Sequence, residues 1–202
     1  MGTKKQIKIK DEIINIKPLK IGKLKLKVIG RTPYLPEPMD WEMLERYDDK
    51  KSKKVITKDE KSEEERVKTK YYFTENGKKG IPARAFYNAM IKASSYIFEK
   101  SDGGMRNVRE GINILGNILP LKYKKEEVVT HWGRTSGMTK APRKIMRNQF
   151  IDWSCELEIE YNQSQLSPEL IVNILNWAGF HIGVGSFRKE KTGNYGSFYV
   201  KV

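Results

Sequence analysis

The sequence lacks any apolar run long enough to cross a membrane, and it lacks a linker rich in proline, glycine or serine. A membrane helix needs about 20 consecutive apolar residues. The lysine-rich start also has no apolar stretch or cleavage site of a secretory signal. We therefore expect a cytoplasmic protein. With no linker to divide its 202 residues, we expect one domain over 1–202.

Cysteine is almost absent. The one cysteine, Cys155, excludes an internal disulfide and cannot by itself supply a thiolate metal site. It lies beside Trp153 in a strand-like stretch, where a small buried hydrophobe is expected. No set of His, Cys, Asp and Glu has metal-ligand spacing, and no serine has the surroundings of a nucleophile. We therefore expect no metal and no cofactor.

What the sequence does contain is positive charge, with a net +14. Residues 1–31 carry a net +8 and residues 120–150 a net +6, so two segments hold the whole surplus. Such charge attracts polyanions, and their binding weakens as salt rises. Charge alone does not identify a nucleic-acid partner.

A third charged stretch is nearly neutral. Between residues 45 and 70, ten basic and eight acidic groups almost cancel. The turn-rich segment 32–38 precedes this stretch, and the strand-like segment 71–73 follows it. We predict a projecting, partly mobile insertion over about 31–70. A solvated helix without a function is the alternative.

Two segments alternate strictly, as half-buried strands do. Residues 23–28 place three lysines on one face and Leu24, Leu26 and Val28 on the other. Residues 156–161 place three glutamates on one face. In a ferredoxin-like sheet the first and third strands are neighbours, so these charges are predicted to pair as a Lys/Glu ladder. The sheet face is therefore not the expected binding surface for RNA.

Helices are indicated at two places. Residues 80–82 open the first, with Pro82 in its first turn and apolar residues at helical spacing as far as Ile97, and Gly103-Gly104 end it. Ser167 and Pro168 begin the second, which ends at Gly179. Strands are expected at 112–121 and 196–202. This order predicts an α+β fold with a ferredoxin-like or RRM-like βαββαβ core, carrying the insertion and a basic hairpin at about 122–150.

A glycine-rich loop lies between the second helix and the last strand. Over residues 179–196, five glycines, among them Gly183 and Gly185, surround Arg188, Lys189 and Lys191. Glycine permits close backbone approach, so such a loop can offer N–H groups and cations to phosphates. It lacks the strand-before, helix-after context of a nucleotide hydrolase.

A glycine-rich, arginine-containing loop before the last strand resembles the signature of the RAMP superfamily, which includes crRNA-binding subunits and guide-processing nucleases of CRISPR systems. Residues 80–90, with Arg84, look like the family's I-P-x-x-x-x-x-G-x-x-R start of the first helix. Asn88 and Ala89 stand where the family usually has glycine, and the combination of the two motifs looks more like uncharacterised RAMP-like proteins of phages and mobile elements. The resemblance implies binding of RNA or single-stranded DNA, with further copies of the chain or a ribonucleoprotein complex as partners.

The basic segment after Pro120 supports this interpretation. It interleaves His131 and Trp132 with cations, and stacking together with phosphate contacts is how single strands are held without sequence preference. A basic hairpin that only keeps the protein soluble is the alternative. The resemblance implies that such a hairpin contacts a neighbouring copy or a guide.

The resulting prediction is a non-catalytic binder of single-stranded nucleic acid that self-associates along the strand. Its predicted binding residues are Arg84, Trp132, Arg134, Lys140, Arg143, Lys144, Arg147, Gly183, Gly185, Arg188, Lys189 and Lys191. Two alternatives remain: a RAMP-type endoribonuclease with His131 as its base, and a mobile-element protein that binds or inhibits a host protein complex. His181 is expected to be structural.

Overall fold

A computed structural model describes residues 5–9, 12–16, 18–38, 62–99, 103–134 and 142–201. Its elements in chain order are β1 (Lys5–Ile9), β2 (Glu12–Ile16), β3 (Ile21–Gly30), α1 (Glu63–Val67), β4 (Gly80–Pro82), α2 (Ala83–Ser94), α3 (Gly104–Gly111), β5 (Ile112–Ile114), β6 (Ile118–Lys122), β7 (Lys125–Arg134), β8 (Pro142–Ile151), β9 (Ser154–Asn162), α4 (Pro168–Trp177), a π-helical turn (Ala178–Ile182), a 3-10 turn (Lys189–Lys191) and β10 (Phe198–Lys201).

Within the described ranges, six strands form the main sheet. Their order is β10-β3-β9-β6-β4, with β5 also paired to β9, and every pairing is antiparallel. Two separate antiparallel hairpins accompany the sheet, β1 with β2 and β7 with β8. The chain is therefore an α+β protein with antiparallel sheets and few helices.

The predicted Lys/Glu ladder is present. β3 and β9 are neighbours, in a register that sets Lys23 opposite Glu160 and Lys25 opposite Glu158. The ammonium and carboxylate groups lie 2.9 and 3.0 Å apart in these two pairs. Glu156 instead bonds Lys122 of β6 at 2.7 Å. The positive charge of β3 is thus balanced on the sheet face by the neighbouring strand.

The other sheet face carries the core. Leu157 of the central strand β9 is fully buried, as are Phe86 of α2 and Ile171 of α4. The Phe86 ring meets Phe198 of β10 edge-on at 5.3 Å. Cys155 is also buried on this side, and burial raises its pKa to about 12. It is a packing residue, as predicted.

The Ser167-Pro168 pair in the sequence predicted the start of α4 correctly. The Ser167 hydroxyl accepts a hydrogen bond from the Leu170 N–H at 3.2 Å, and Pro168 follows in the first turn. The predicted end at Gly179 is wrong, because the chain continues as a π-helical turn to Ile182. Gly179 serves a close approach instead, since a Cβ there would lie 2.1 Å from the Phe198 carbonyl oxygen. Gly183, with φ of 76°, ends the turn.

The first helix also differs from its prediction. Pro82 caps α2 from the end of strand β4, which pairs with β6, and is not in the first helical turn. The helix ends at Ser94, well before Gly103, because Ser94 and Ser95 turn their hydroxyls back to the carbonyls of Ile91 and Lys92. Gly103 instead precedes α3. The strand predicted over 112–121 is two strands, separated around Gly116 at φ 89°.

Both ends of the predicted insertion pack against strand β8. Tyr34 exchanges two backbone hydrogen bonds of 2.9 Å with Phe150, and both Tyr34 and Leu35 are buried. On the far side, α1 packs on β8, where the Asn148 amide donates to the Val67 carbonyl at 2.6 Å. Residues 39–61 lie outside the described residues, so the projecting insertion stays a prediction.

Candidate nucleic-acid interface

The glycine loop, residues 183–196, folds back on itself. Val184 N–H donates to the Gly196 carbonyl, and the N–H groups of Ser186 and Gly196 donate to the carbonyls of Leu35 and Pro33. Gly196 has φ of 68°, and a Cβ there would lie 1.7 Å from the Val184 oxygen. These glycines therefore permit backbone contact within the loop. Because several of the loop N–H groups are already bonded, ligand contacts would come mainly from side chains.

Arg188 is held by the loop that contains it. Its guanidinium donates to the Gly185 carbonyl at 3.0 Å and to the Glu190 carboxylate at 2.9 Å. Lys92 of α2 also donates to Glu190, so one carboxylate joins two cations from distant parts of the chain. Burial raises the pKa of Glu190, but the hydrogen bonds from Lys92 and Arg188 outweigh it and leave the pKa below its usual range. Glu190 is thus an anion at neutral pH.

A cleft of about 230 Å³ lies between α2 and the glycine loop. One wall is the helix face with Pro82, Ala85, Asn88 and Lys92, and the opposite wall is the loop. The glycine loop contributes Gly183, Gly185, Arg188 and Glu190 to the lining. Tyr34, Glu37 and Tyr72, from the ends of the predicted insertion, also line it. Two motifs about 100 residues apart in sequence therefore meet in one depression.

The β7–β8 hairpin contacts this loop and the rim of the cleft. The His131 ring packs on Phe187 at 4.6 Å and meets Tyr195 edge-on at 5.4 Å. Arg147 of β8 donates to Glu37, a cleft residue, at 3.1 Å. The cationic segment and the glycine loop therefore lie side by side.

Strand alternation divides the hairpin into two faces. His131 and Arg147 lie on the face toward the glycine loop, whereas the register places Trp132 opposite Lys144 on the other face. Trp132 is 75% exposed, and Lys144 bonds Glu64 of α1 at 2.8 Å. The residues predicted as one basic, aromatic cluster are thus presented in two directions.

The structure also locates the remaining predicted residues. Arg84 is exposed on α2, outside the cleft lining, and Lys189 and Lys191 are exposed on the 3-10 turn. Lys140 and the side chains of Arg134 and Arg143 lie outside the described part of the chain. Lys92 and Glu190 were missed from the sequence. The only sequence signal for Lys92 was its helical spacing from Pro82, Ala85 and Asn88. The only signal for Glu190 was its position as an acid between Lys189 and Lys191.

His131 differs from an ordinary surface histidine. Burial lowers its pKa, and the nearby Arg147 guanidinium lowers it further. Its Nε2 is buried and has no hydrogen-bond partner among the described residues. The imidazole is therefore neutral at physiological pH and packed against two aromatic rings.

In the part of the chain that the structure describes, no three His, Cys, Asp or Glu side chains lie close enough together to hold a metal ion. No helix within the same ranges has the length and apolar character of a membrane span.

No protein-family model matches the sequence, and no curated protein matches it significantly. Solved structures do match. A chain from the cryo-EM structure of the Type III-B Cmr-beta bound to cognate target RNA aligns with 91% of this chain at a TM-score of 0.51 and 13% identity. This chain spans 60% of that chain's length. Cmr6 from Pyrococcus furiosus aligns with 91% of this chain at a TM-score of 0.44 and 8% identity, over all of its own length. The Cmr-beta similarity shows a shared fold.

Proposed function

We propose that this chain is a RAMP-like protein with a ferredoxin-like core that binds single-stranded nucleic acid, RNA above all, without cleaving it. Its copies are proposed to lie side by side along the strand or to join a ribonucleoprotein complex. The observation that carries the proposal is the meeting of the basic hairpin with the glycine loop, beside a cleft built from both sequence motifs.

The chemistry of this region suits an unpaired strand. Lys189 and Lys191 supply exposed positive charge on the loop, and Trp132, on the other face of the hairpin, supplies an exposed ring on which a base can stack. The sheet face is a less suitable alternative, because two of its three β3 lysines, Lys23 and Lys25, are paired with glutamates. The fold shared with a chain of the RNA-bound Type III-B Cmr-beta supports RNA as the first ligand to test.

Fluorescence anisotropy with labelled single-stranded RNA, single-stranded DNA and duplex across a salt series tests the proposal. We expect the single strands to bind more tightly than the duplex, with an affinity that falls as salt rises. Trp132→Ala should weaken binding by about 5- to 140-fold, the effect of one stacked base. Phe73→Ala is the matched control, since Phe73 is 52% exposed and lies on neither the hairpin nor the loop. Equal affinity for the duplex, or affinity independent of salt, would refute the proposal.

Self-association is tested separately by sedimentation of the protein with and without RNA of increasing length. Masses that rise in whole protomers with RNA length support side-by-side copies. One protomer per strand at every length contradicts this part of the proposal and leaves strand binding intact.

Endoribonuclease activity is a second candidate because His131 carries a neutral imidazole whose Nε2 has no partner among the described residues. A general base near neutral pH needs a neutral imidazole, and the buried Nε2 would have to become accessible to the RNA. Incubation of labelled RNA with wild type and His131→Ala decides between the two candidates. Equal decay in both samples removes the nuclease, and decay that depends on His131 removes the non-catalytic proposal.

A further inference from the structure

An exposed cluster of aromatic rings lies where α2 and α4 end. Tyr96, Trp177 and His181 are mutually near-parallel, with interplanar angles of 18–22° and ring centroids 4.8–6.0 Å apart. Phe180 meets His181 edge-on at 5.0 Å. The core does not account for this arrangement, because the buried side of α4 is formed by Ile171, Ile174 and Leu175.

The rings are open to solvent. Tyr96 is 55% exposed, Trp177 41% and Phe180 50%. Large apolar groups that stay exposed and contiguous usually mark a binding surface. The exposed aliphatic side chains among the described residues, Leu19, Ile21 and Val128, belong to other elements, so this surface is aromatic.

Cations border the cluster. The Lys189 ammonium lies 3.8 Å from the centre of the Phe180 ring. Lys92 precedes Tyr96 by one helical turn and also lines the cleft. Lysine is depleted in the centres of protein–protein interfaces, whereas rings next to cations are the usual composition of surfaces that hold unpaired bases. The composition favours a nucleobase over a protein partner.

The cluster is continuous with the cleft. Ile182 and Gly183, directly after His181 in the chain, form part of the cleft wall, and Lys92, which also lines the cleft, precedes Tyr96 by four residues. A strand that leaves the cleft along this segment would therefore pass toward the rings.

We propose that the ring surface of Tyr96, Trp177 and His181 is a second stacking site, which holds a base of the same strand that occupies the cleft. This inference depends on the proposed function. It adds a site on the helical side of the molecule that the basic segments of the sequence did not indicate, and it lengthens the stretch of strand that one protomer covers.

The test compares wild type with Trp177→Ala and Tyr96→Ala, using single-stranded RNA of increasing length. Each variant should match wild type on short strands and lose about 5- to 140-fold in affinity on strands long enough to reach both sites. The salt dependence should stay unchanged, because no cation is removed. Trp177→Phe, which keeps a ring, should recover most of the loss, and thermal unfolding followed by circular dichroism reports whether each variant is folded.

Phe73→Ala is again the matched control for an exposed ring. Equal affinities of wild type and both alanine variants at every length would overturn this inference and leave the proposed function standing. A wild type that binds no strand would instead remove the proposed function itself. Loss of self-association without RNA in Trp177→Ala, with strand affinity unchanged, would identify a contact between protein copies and would also overturn the inference.

Discussion

The charge balance of the cleft gives a quantitative prediction. Glu190 accepts hydrogen bonds from both Lys92 and Arg188, so two cations share one anion. Glu190→Gln removes that anion and keeps the size of the side chain. If the strand's phosphates lie in the cleft, this substitution should strengthen binding at low salt, because between one and two positive charges become available.

The magnitude follows from counterion release. Each neutralised phosphate of a single strand steepens the slope of log affinity against log salt by about 0.7. One to two extra contacts steepen it by about 0.7 to 1.4, which is a further 2.6- to 7-fold fall in affinity for a fourfold rise in salt. The loop should also lose stability, by up to about 3 kcal/mol, because the Arg188 and Glu190 side chains are only 27% and 23% exposed and hydrogen bonds to charged groups contribute about 1.5–3 kcal/mol.

Anisotropy measured across a salt series is the assay, and Glu110→Gln is the matched control. Glu110 pairs with Arg106 on α3 at 3.0 Å, away from the cleft, so the control makes the same change in net charge. A salt slope for Glu190→Gln no steeper than that of Glu110→Gln would refute the placement of phosphates in the cleft.

Three other predictions concern the fold. Gly196→Ala should cost more stability than Gly77→Ala. Both glycines have φ near 68–69°, but only at Gly196 would the added Cβ lie 1.7 Å from a backbone oxygen. The difference between the melting temperatures of the two variants measures this clash, and equal melting temperatures would contradict it. Leu157→Ala should lower the free energy of unfolding by about 2–5 kcal/mol in urea titrations, whereas Lys25→Ala on the exposed ladder should change it little. Cys155 should resist alkylation until the protein unfolds, because burial raises its pKa to about 12. The stability that this buried thiol contributes is complete below its ordinary pKa of 9.0 and is lost as the pH rises toward the pKa of the folded state. Rapid alkylation of the native protein would contradict this.

Patterns within a few residues predicted local structure well. Strand alternation located β3 and β9 and the pairing of their charges, and the Ser167-Pro168 pair located the start of α4. Each of these signals lies within the segment that it describes. Helix ends were harder to predict, because the Ser94 and Ser95 hydroxyls ended α2 early and contact with Phe198, not a turn, explains Gly179.

The candidate site was predicted only in outline. The sequence indicated the glycine loop and the basic hairpin as the segments that bind a strand, but not that Arg188 is bonded to Glu190 and Gly185. It also could not show that the two faces of the hairpin separate Trp132 from Arg147, because that depends on the register in which β7 and β8 pair.

The amino-acid sequence by itself determined the excess of positive charge, the alternating strands, the α+β class and the flexible glycines before the last strand, because each follows from composition or from neighbours along the chain. Only the tertiary structure decided which groups meet. Lys92 and Glu190 lie 98 residues apart, and the rings of Tyr96 and Trp177 come from two different helices. Contacts of this kind depend on how the helices cross the sheet and where the chain returns to it, and no local pattern encodes that geometry.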